Sequence, residues 1–186
     1  SDDEPTEVPE KSLPHVPTLV GSAMYAGTNA RPDLLRGTLY LSRRAGAAKW
    51  REEEALQLRR LFQYMKATPD VVSVISLFQD DELEVWVFPD ADYAGNPDYR
   101  STSGWVVYLV GVRHGSAVLL AARSNLHSMV GLSTAEAEVT AIRDALVHVF
   151  GLLPAVESLL GPVRLRIWTD SSAALGAIRR GASKKL

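Results

Sequence analysis

The stretch Glu84–Gly104 constrains the fold more than any other part of the chain. It begins with the apolar run Val85–Phe88 and continues through Pro89 to two acids, Asp90 and Asp92, and a group of turn residues. A short apolar run bounded by turn residues predicts a strand covered on both faces, in the middle of a sheet. Open α/β sheets bind ligands at the carboxyl ends of such strands. Asp90 is therefore a candidate site residue, and an ordinary turn or cap residue is the alternative.

Further apolar runs predict the neighbouring strands. Val71–Phe78 precedes the central strand across a turn, and Trp105–Val110 and Ala117–Ala122 follow it at short intervals. Consecutive strands with short connections indicate an antiparallel meander. Val163–Thr169 alternates apolar and polar residues, as in a strand with one buried face. Because a helical segment separates that strand from the meander, we expect a mixed α/β fold: three antiparallel strands, then a parallel crossover, flanked by helices.

Composition and local pattern predict three regions of the chain. Residues 1–15 are acidic and proline-rich, which predicts a disordered tail. Residues 16–70 predict a small helical domain whose longest helix covers about Ala47–Ala67. The polar face of that helix is interpreted as solvated, with contact between its basic residues and phosphates as the alternative. Residues 71–186 predict the sheet domain.

The segment Leu132–Gly161 predicts the helix that connects the meander to the last strand. Ser133, followed three residues later by Glu136, has the form of a capping box that fixes the start of the helix. Gly151 or Pro154 predicts a break further along. The helix should therefore start sharply and consist of two pieces.

Composition excludes several classes of function. The chain has no cysteine, which excludes disulfides, zinc–thiolate sites and thiol nucleophiles and agrees with an intracellular location. A net charge of −2 excludes a uniformly basic nucleic-acid binder. No apolar run approaches the ~20 residues that span a bilayer, so no membrane partner is expected. The four histidines are scattered without metal-ligand spacing, which favours surface or core positions.

Glu138 has the most informative position among the acids of the long helix. Counting along the helix, Ile142, Ala145 and Val149 fall on the same face as Glu138. Its carboxylate should therefore point toward the sheet, where an ionised group is costly unless something compensates its charge. Glu136 lies on a different face, and a capping role accounts for it. Glu138 is thus a second candidate site residue.

Asp170, at the end of the last predicted strand, completes the candidate site. The strands ending at Asp90 and Asp170 are predicted to be parallel neighbours, joined through the helix that carries Glu138. Three converging carboxylates repel one another unless divalent cations lie between them. Oxygen ligands favour Mg²⁺ or Mn²⁺, and such a cluster suits two-metal phosphoryl transfer, in which one ion activates water and the other stabilises the leaving oxygen. Three unrelated surface acids are the alternative.

Short motifs occur in order along the chain, from about Pro17 to the C-terminus. They are LVGSAMY at Leu19–Tyr25, RPDL at Arg31–Leu34, DADYAG at Asp90–Gly95, RSTSG at Arg100–Gly104, LSTAEAE at Leu132–Glu138 and DSSAA at Asp170–Ala174. Together they resemble the ribonuclease H domain of copia-type LTR retrotransposon Pol polyproteins, preceded by the end of the reverse transcriptase. Several separate motifs in the same order make chance similarity improbable.

The resemblance implies a function and its residues. Asp90, Glu138 and Asp170 would be the catalytic residues and the ligands of Mg²⁺, with Mn²⁺ as the other option. The substrate would be the RNA strand of an RNA–DNA hybrid, cut by a metal-activated water to leave a 3′-hydroxyl during reverse transcription. Hybrids are recognised through backbone shape and 2′-hydroxyls. Residues expected to contact the substrate are Asn96, Arg100, Ser101, Thr102, Ser103, Arg123, Asn125 and Ser171.

The sequence also departs from this family. The family fold continues with a fifth strand and a last helix that carries a fourth catalytic acid, and neither follows in the sequence up to Leu186. We therefore expect a ribonuclease H-like fold without its last strand and helix, in which Val163–Thr169 becomes an edge. One alternative is a catalytically inactive fragment that serves as a nucleic-acid or protein binding or assembly module. A different nuclease or integrase of the same superfold is another.

Expected partners follow from the same resemblance. They are an RNA–DNA hybrid, and either the polymerase part of the same polyprotein or another protein chain that completes the sheet. The expected location is intracellular, in a cytoplasmic particle or the nucleus.

Overall fold

The computed structural model describes residues 15–45, 50–71, 75–78, 80–96, 98–128 and 130–180. The chain divides into two compact units, one within residues 1–73 and one within residues 74–186. The predicted tail lies outside the described residues except for His15. The interpretation of the first unit as the end of a reverse transcriptase stays a prediction.

The described part of the first unit is helical. It contains α1 (Val16–Asn29), a 3₁₀ turn (Pro32–Leu34), α2 (Leu35–Ala45) and α3 (Glu52–Ala67). The predicted start of the long helix, at Ala47, lies outside the described residues, and the described helix begins at Glu52. Its core consists of apolar side chains from α1, α2 and α3 and of a tryptophan two residues before α3: Val16, Val20, Leu41, Trp50 and Leu58.

A buried arginine connects the 3₁₀ turn to the end of α3. Nη2 of Arg31 donates to Oδ2 of Asp33 at 2.8 Å, and its Nη1 donates to the carbonyl oxygen of Thr68 at 3.0 Å. The hydrogen bonds from Arg31 lower the pKa of Asp33. Because both ends of this guanidinium are bonded, its charge is compensated in a place where an unpaired one would be costly.

The second unit is a four-stranded mixed sheet with helices. Strand β1 (Leu83–Asp92) pairs antiparallel with β2 (Thr102–Gly111), which pairs antiparallel with β3 (Ser116–Leu126). After α4 (Thr134–Leu160), β4 (Arg164–Ile167) pairs parallel with β1, and α5 (Ser172–Arg180) follows. The strand order in the described sheet is β3-β2-β1-β4. This topology is consistent with a ribonuclease H-like fold, and the predicted mixed α/β sheet with a parallel crossover is confirmed.

The core of this unit lies between α4 and one face of the sheet. Burying one valine or leucine side chain stabilises the fold by about 1.5–3 kcal/mol. Strands β1 and β2 and helix α4 all contribute apolar side chains to this core. Alternate residues of β1 and β2 therefore point toward α4. The buried members are Val85, Val87, Trp105, Val107, Leu109, Ala145, Val149 and Val156.

A buried carboxylate on the opposite face connects β1 with the edge strand β4. Glu84 is 1% exposed and accepts hydrogen bonds from Nε1 of Trp86 at 2.8 Å and from Nε of Arg166 at 2.5 Å. Nη1 of Arg164 lies 3.3 Å from its other oxygen. The hydrogen bond from Arg166 is the main reason that the pKa of Glu84 is lowered. Charge pairing thus supplements the four-residue parallel ladder.

The predicted strand Val71–Phe78 is wrong for the residues that the structure describes there. Residues 71 and 75–78 are not in a strand, and Ile75 is 74% exposed. The pattern was apolar enough for a strand, but both edges of β1 are occupied, by β2 and β4. No edge of the central strand is left for a preceding hairpin.

The predicted break in the connecting helix is also wrong. Helix α4 continues through Gly151 and Pro154 to Leu160. A proline inside a helix removes one hydrogen bond and costs about 3 kcal/mol. Burial of Val149 and Val156 on either side of the proline, in the core against the sheet, offsets that cost.

Length and composition alone would allow α4 to cross a membrane. This corrects the expectation that no apolar run is long enough. A core helix of a soluble protein passes the same test, and α4 packs Ala141, Ala145 and Val149 against the sheet. That packing covers only part of the apolar surface of α4, because Val147 and Phe150 on the same helix are exposed.

Candidate metal centre

Two of the three candidate acids lie at one edge of the sheet. Asp90 belongs to the carboxyl-terminal part of β1, and Asp170 follows the end of β4 at Ile167. Because β1 and β4 are parallel, their carboxyl ends lie at the same edge. The backbone N–H of Trp168 donates to the carbonyl oxygen of Val87 at 2.8 Å, which continues the pairing toward Asp170.

The third acid comes from the second turn of α4. Ser133 caps this helix, since its Oγ accepts a hydrogen bond from the backbone N–H of Glu136 at 3.2 Å. The carboxylate of Glu136 accepts from the N–H of Leu132 at 2.6 Å, one residue before the cap, so the predicted capping box forms in a shifted version. The cap fixes the start of the helix, and Glu138 then shares the buried face with Ala141 and Ala145.

The structure brings the three predicted acids together. One carboxylate oxygen each from Asp90, Glu138 and Asp170 lies within 4.8 Å of the others. Glu138 is 7% exposed, whereas Asp90 and Asp170 are exposed. The cluster is therefore closed on the side of α4 and open to solvent at the edge of the sheet.

The environment of Glu138 opposes its ionisation. Burial raises the pKa of Glu138, and the nearby charges of Asp90 and Asp170 raise it further. A hydrogen bond from the backbone of Ala91 partly offsets this increase. Oε2 of Glu138 is buried and has no hydrogen-bond partner among the described residues. A deprotonated Glu138 thus has an uncompensated charge here unless a cation is bound.

These three residues fit a divalent cation. All the donors are carboxylate oxygens, which Mg²⁺ and Mn²⁺ prefer. One oxygen from each residue lies within 4.8 Å of the others, so the three side chains could hold a cation between them. The unpartnered buried oxygen of Glu138 is the atom that a cation would satisfy. The identity of the ion is part of the proposal below.

Most of the predicted substrate contacts around the β1–β2 connection are bonded within the protein. Nδ2 of Asn96 donates to the carbonyl oxygen of Arg100 at 2.6 Å and to Oγ1 of Thr102 at 3.0 Å. Nε of Arg100 donates to Oδ2 of Asp98 at 2.8 Å. Ser101 is buried, and its Oγ accepts from the N–H of Ala94, a residue with positive φ. These contacts shape the loop beside the cluster.

Three further predicted substrate contacts lie before and after α4 in the sequence. Arg123 and Asn125 lie on the edge strand β3, where Nε of Arg123 donates to Oδ1 of Asn125 at 2.9 Å. Oγ of Ser171 accepts from the N–H of Ala174 at 3.1 Å and so bonds to the first turn of α5. Arg123 and Asn125 keep free donor atoms within the described part of the chain, whereas Ser171 has a structural bond.

A contact between Ser103 and His127 was not predicted. Ser103 is buried, and its Oγ lies 2.5 Å from Nε2 of His127. The two residues are far apart in sequence, and the register that pairs Ser103 with Asn125 brings them together. The strand pattern of β3 was visible in the sequence, but its register was not. This contact connects the end of β3 to β2 near the cluster.

The chain resembles a known protein in structure. No protein-family model matches the chain, and no curated protein matches it. Among solved structures, it is similar to the foamy viral protease-reverse transcriptase in complex with an RNA/DNA hybrid, at 16% sequence identity and a TM-score of 0.49. The match covers 98% of this chain and 22% of that one, so the chain spans about a fifth of the viral protein.

Proposed function

We propose that this protein is a ribonuclease H of the copia retrotransposon type, which hydrolyses the RNA strand of RNA–DNA hybrids during reverse transcription. The observation that carries the proposal is the convergence of Asp90, Glu138 and Asp170 within 4.8 Å, from three separate elements. The motifs that contain these acids support the same assignment. An intracellular location, in a cytoplasmic particle or the nucleus, belongs to this proposal.

Asp90, Glu138 and Asp170 would hold Mg²⁺ or Mn²⁺. When bound, the cations would supply Lewis-acid activation of water and stabilisation of the leaving 3′-oxygen. The protein supplies a fixed frame: Asp90 is part of a central strand, and Glu138 is held on the buried face of a capped helix. Two exposed carboxylates leave the open side of the cluster accessible to a phosphodiester.

The proposed activity is tested with a labelled RNA–DNA hybrid in Mg²⁺. Wild-type protein should cut the RNA strand and leave 3′-hydroxyl ends, and chelation should stop the reaction. The substitutions Asp90→Asn, Glu138→Gln and Asp170→Asn should each lower the rate by at least about a hundredfold, because each removes a charged ligand. Glu157→Gln, which changes an exposed acid further along α4, should leave the rate unchanged.

Two outcomes would contradict the nuclease proposal. Cleavage that survives all three substitutions would show that the cluster is not the catalytic site. Hybrid binding without cleavage in Mg²⁺ or Mn²⁺, unaffected by the three substitutions, would favour the binding or assembly module instead. Isothermal titration with Mn²⁺ measures metal binding in the same variants, independently of turnover.

A further inference from the structure

A cleft outside the carboxylate cluster lies between the edge strand β3 and helix α4. Its volume is about 580 Å³. Strands β2 and β3 contribute Trp105, Arg123 and Asn125 to its lining, and α4 contributes Arg143, along with Asp144 and His148. Two arginines and one aspartate make the lining positive on balance. The cleft therefore offers more hydrogen-bond donors than acceptors.

Trp105 provides a buried donor without an acceptor. Its side chain is 4% exposed, and its ring centroid lies 4.7 Å from that of His148. Nε1 of Trp105 is buried and has no hydrogen-bond partner among the described residues. A buried N–H without an acceptor costs free energy, and such groups in folded proteins commonly mark a site for a ligand, a water or an ion.

The polar side chains of the cleft keep N–H groups that are not hydrogen-bonded to described residues. Nε of Arg123 donates to Oδ1 of Asn125 at 2.9 Å. This bond uses the one acceptor atom of the Asn125 side chain, so its NH₂ group and the terminal nitrogens of Arg123 remain available. Arg143 has no ion pair with any described residue. Planar guanidinium groups with free N–H donors bind phosphate oxygens well.

Strand register places the cleft beside the carboxylate cluster. Asp90 pairs with Gly104, and the flanking residues Ser103 and Trp105 pair with Asn125 and Arg123 on the next strand. Neighbouring strands are about 4.8 Å apart, so β3 lies about 10 Å from β1 at this level. Along α4, Arg143 follows Glu138 by about 7.5 Å of helix axis. Phosphates recur about every 3.4 Å along the axis of one nucleic-acid strand, so one strand can reach both places.

We infer that this cleft binds a backbone phosphate of the nucleic-acid strand that passes the carboxylate cluster. The inference rests on the proposed function. Arg123 and Asn125 were expected near the substrate, and the cleft adds Arg143 and the indole N–H of Trp105. The phosphate accepts from both guanidinium groups, and the indole N–H gains the acceptor that it lacks in the described chain.

The test measures affinity for a short fluorescent RNA–DNA hybrid by anisotropy, in Ca²⁺ and over a series of salt concentrations. The double variant Arg123→Ala/Arg143→Ala should bind about tenfold more weakly, and its salt slope should fall by about two. The matched control is Arg59→Ala/Arg60→Ala, which removes the same charge from exposed positions on α3 and should bind like wild type.

A variant that leaves the net charge unchanged tests the contribution of the indole N–H alone. Trp105→Phe keeps an aromatic ring in the cleft but removes its N–H, so the affinity should fall by about threefold with an unchanged salt slope. Circular dichroism and thermal unfolding establish that each variant is folded. If the double alanine variant does not fold, Arg123→Gln and Arg143→Gln measured singly replace it, each expected to lower the salt slope by about one.

The outcomes distinguish this inference from the proposed nuclease. If Arg59→Ala/Arg60→Ala weakens hybrid binding as much as Arg123→Ala/Arg143→Ala does, the loss reflects only the total charge of the protein and the inference is overturned. Wild-type cleavage together with unchanged affinity in the cleft variants would also overturn it, while the nuclease proposal stands. If the wild type does not cleave the hybrid, but the cleft variants bind it more weakly than the wild type does, the inference is supported and the nuclease proposal is rejected.

Discussion

Glu138→Gln should stabilise the metal-free protein, although it alters a buried residue on the central helix. In the wild type, the Glu138 carboxylate lies close to two other carboxylates, and its Oε2 has no hydrogen-bond partner among the described residues. Glutamine has nearly the same shape and no charge. The substitution therefore removes repulsion without opening a cavity.

The size of the effect follows from the distances. Two unit charges 4.8 Å apart repel by about 3 kcal/mol at an effective dielectric constant of about 20. Asp90 and Asp170 are exposed, so solvent screens much of this repulsion. We expect a gain of about 2 kcal/mol in the free energy of unfolding, or about 6 °C in Tm for a chain of this size.

The gain should depend on pH with a definite sign. Burial and the neighbouring charges raise the pKa of Glu138 in the folded state. The stability that its protonated form contributes is present below the unfolded pKa of about 4.3 and is lost as pH rises through the folded pKa. The difference between Glu138→Gln and wild type should therefore be near zero at low pH and largest above the folded pKa of Glu138.

Thermal unfolding in chelator, and then in increasing Mn²⁺, tests this reasoning. Mn²⁺ should stabilise the wild type by about 2.7 kcal/mol at a hundred times its Kd and should have little effect on Glu138→Gln. The control Glu136→Gln removes only a charge at the helix start, where the glutamine oxygen can still accept from the N–H of Leu132, and should destabilise by less than about 1 kcal/mol with or without metal. A Glu138→Gln protein that is less stable than wild type in chelator at every pH would refute the electrostatic argument.

Two further predictions concern the sheet. Glu84→Gln should flatten the pH dependence of the free energy of unfolding below about pH 4.3. The hydrogen bond from Arg166 lowers the pKa of Glu84, so the stabilisation is lost as pH falls through that pKa. If the free energies of unfolding from urea titrations fall equally with pH in both proteins, this explanation is wrong. Gly111→Ala should cost about 1–3 kcal/mol, because a Cβ there would lie 2.0 Å from Oδ2 of Asp81. Gly104→Ala, with nothing within 4 Å of its Cβ, is the control, and equal losses in the two variants would disprove the steric explanation.

The cluster was predictable from the sequence because each acid has a local signal. Asp90 ends a short apolar run, and Glu138 keeps helical spacing with Ile142 and Ala145. Only the assumption of a parallel crossover was needed to bring Asp170 to the same edge. Both periodicities are properties of neighbouring residues, so a single sequence carries them.

The errors arose where distant contacts decide the structure. Residues 71–78 have the composition of a strand, but no edge of the central strand is available to them. Pro154 normally ends a helix, yet packing on both sides of it keeps α4 continuous. The burial of Ser103 depends on strand register, which alternation alone does not specify.

The parallel pairing of β1 with β4 has a consequence for the order in which the protein folds. It joins residues 80 positions apart, whereas the β1–β2–β3 hairpins close over short loops. Local hairpins form early on a growing polypeptide, and distant pairings form late because loop closure is entropically slow. The three carboxylates therefore meet only after the ribosome has synthesised the chain through Asp170. Until then, a nascent chain has a partly built sheet with no place to hold a cation.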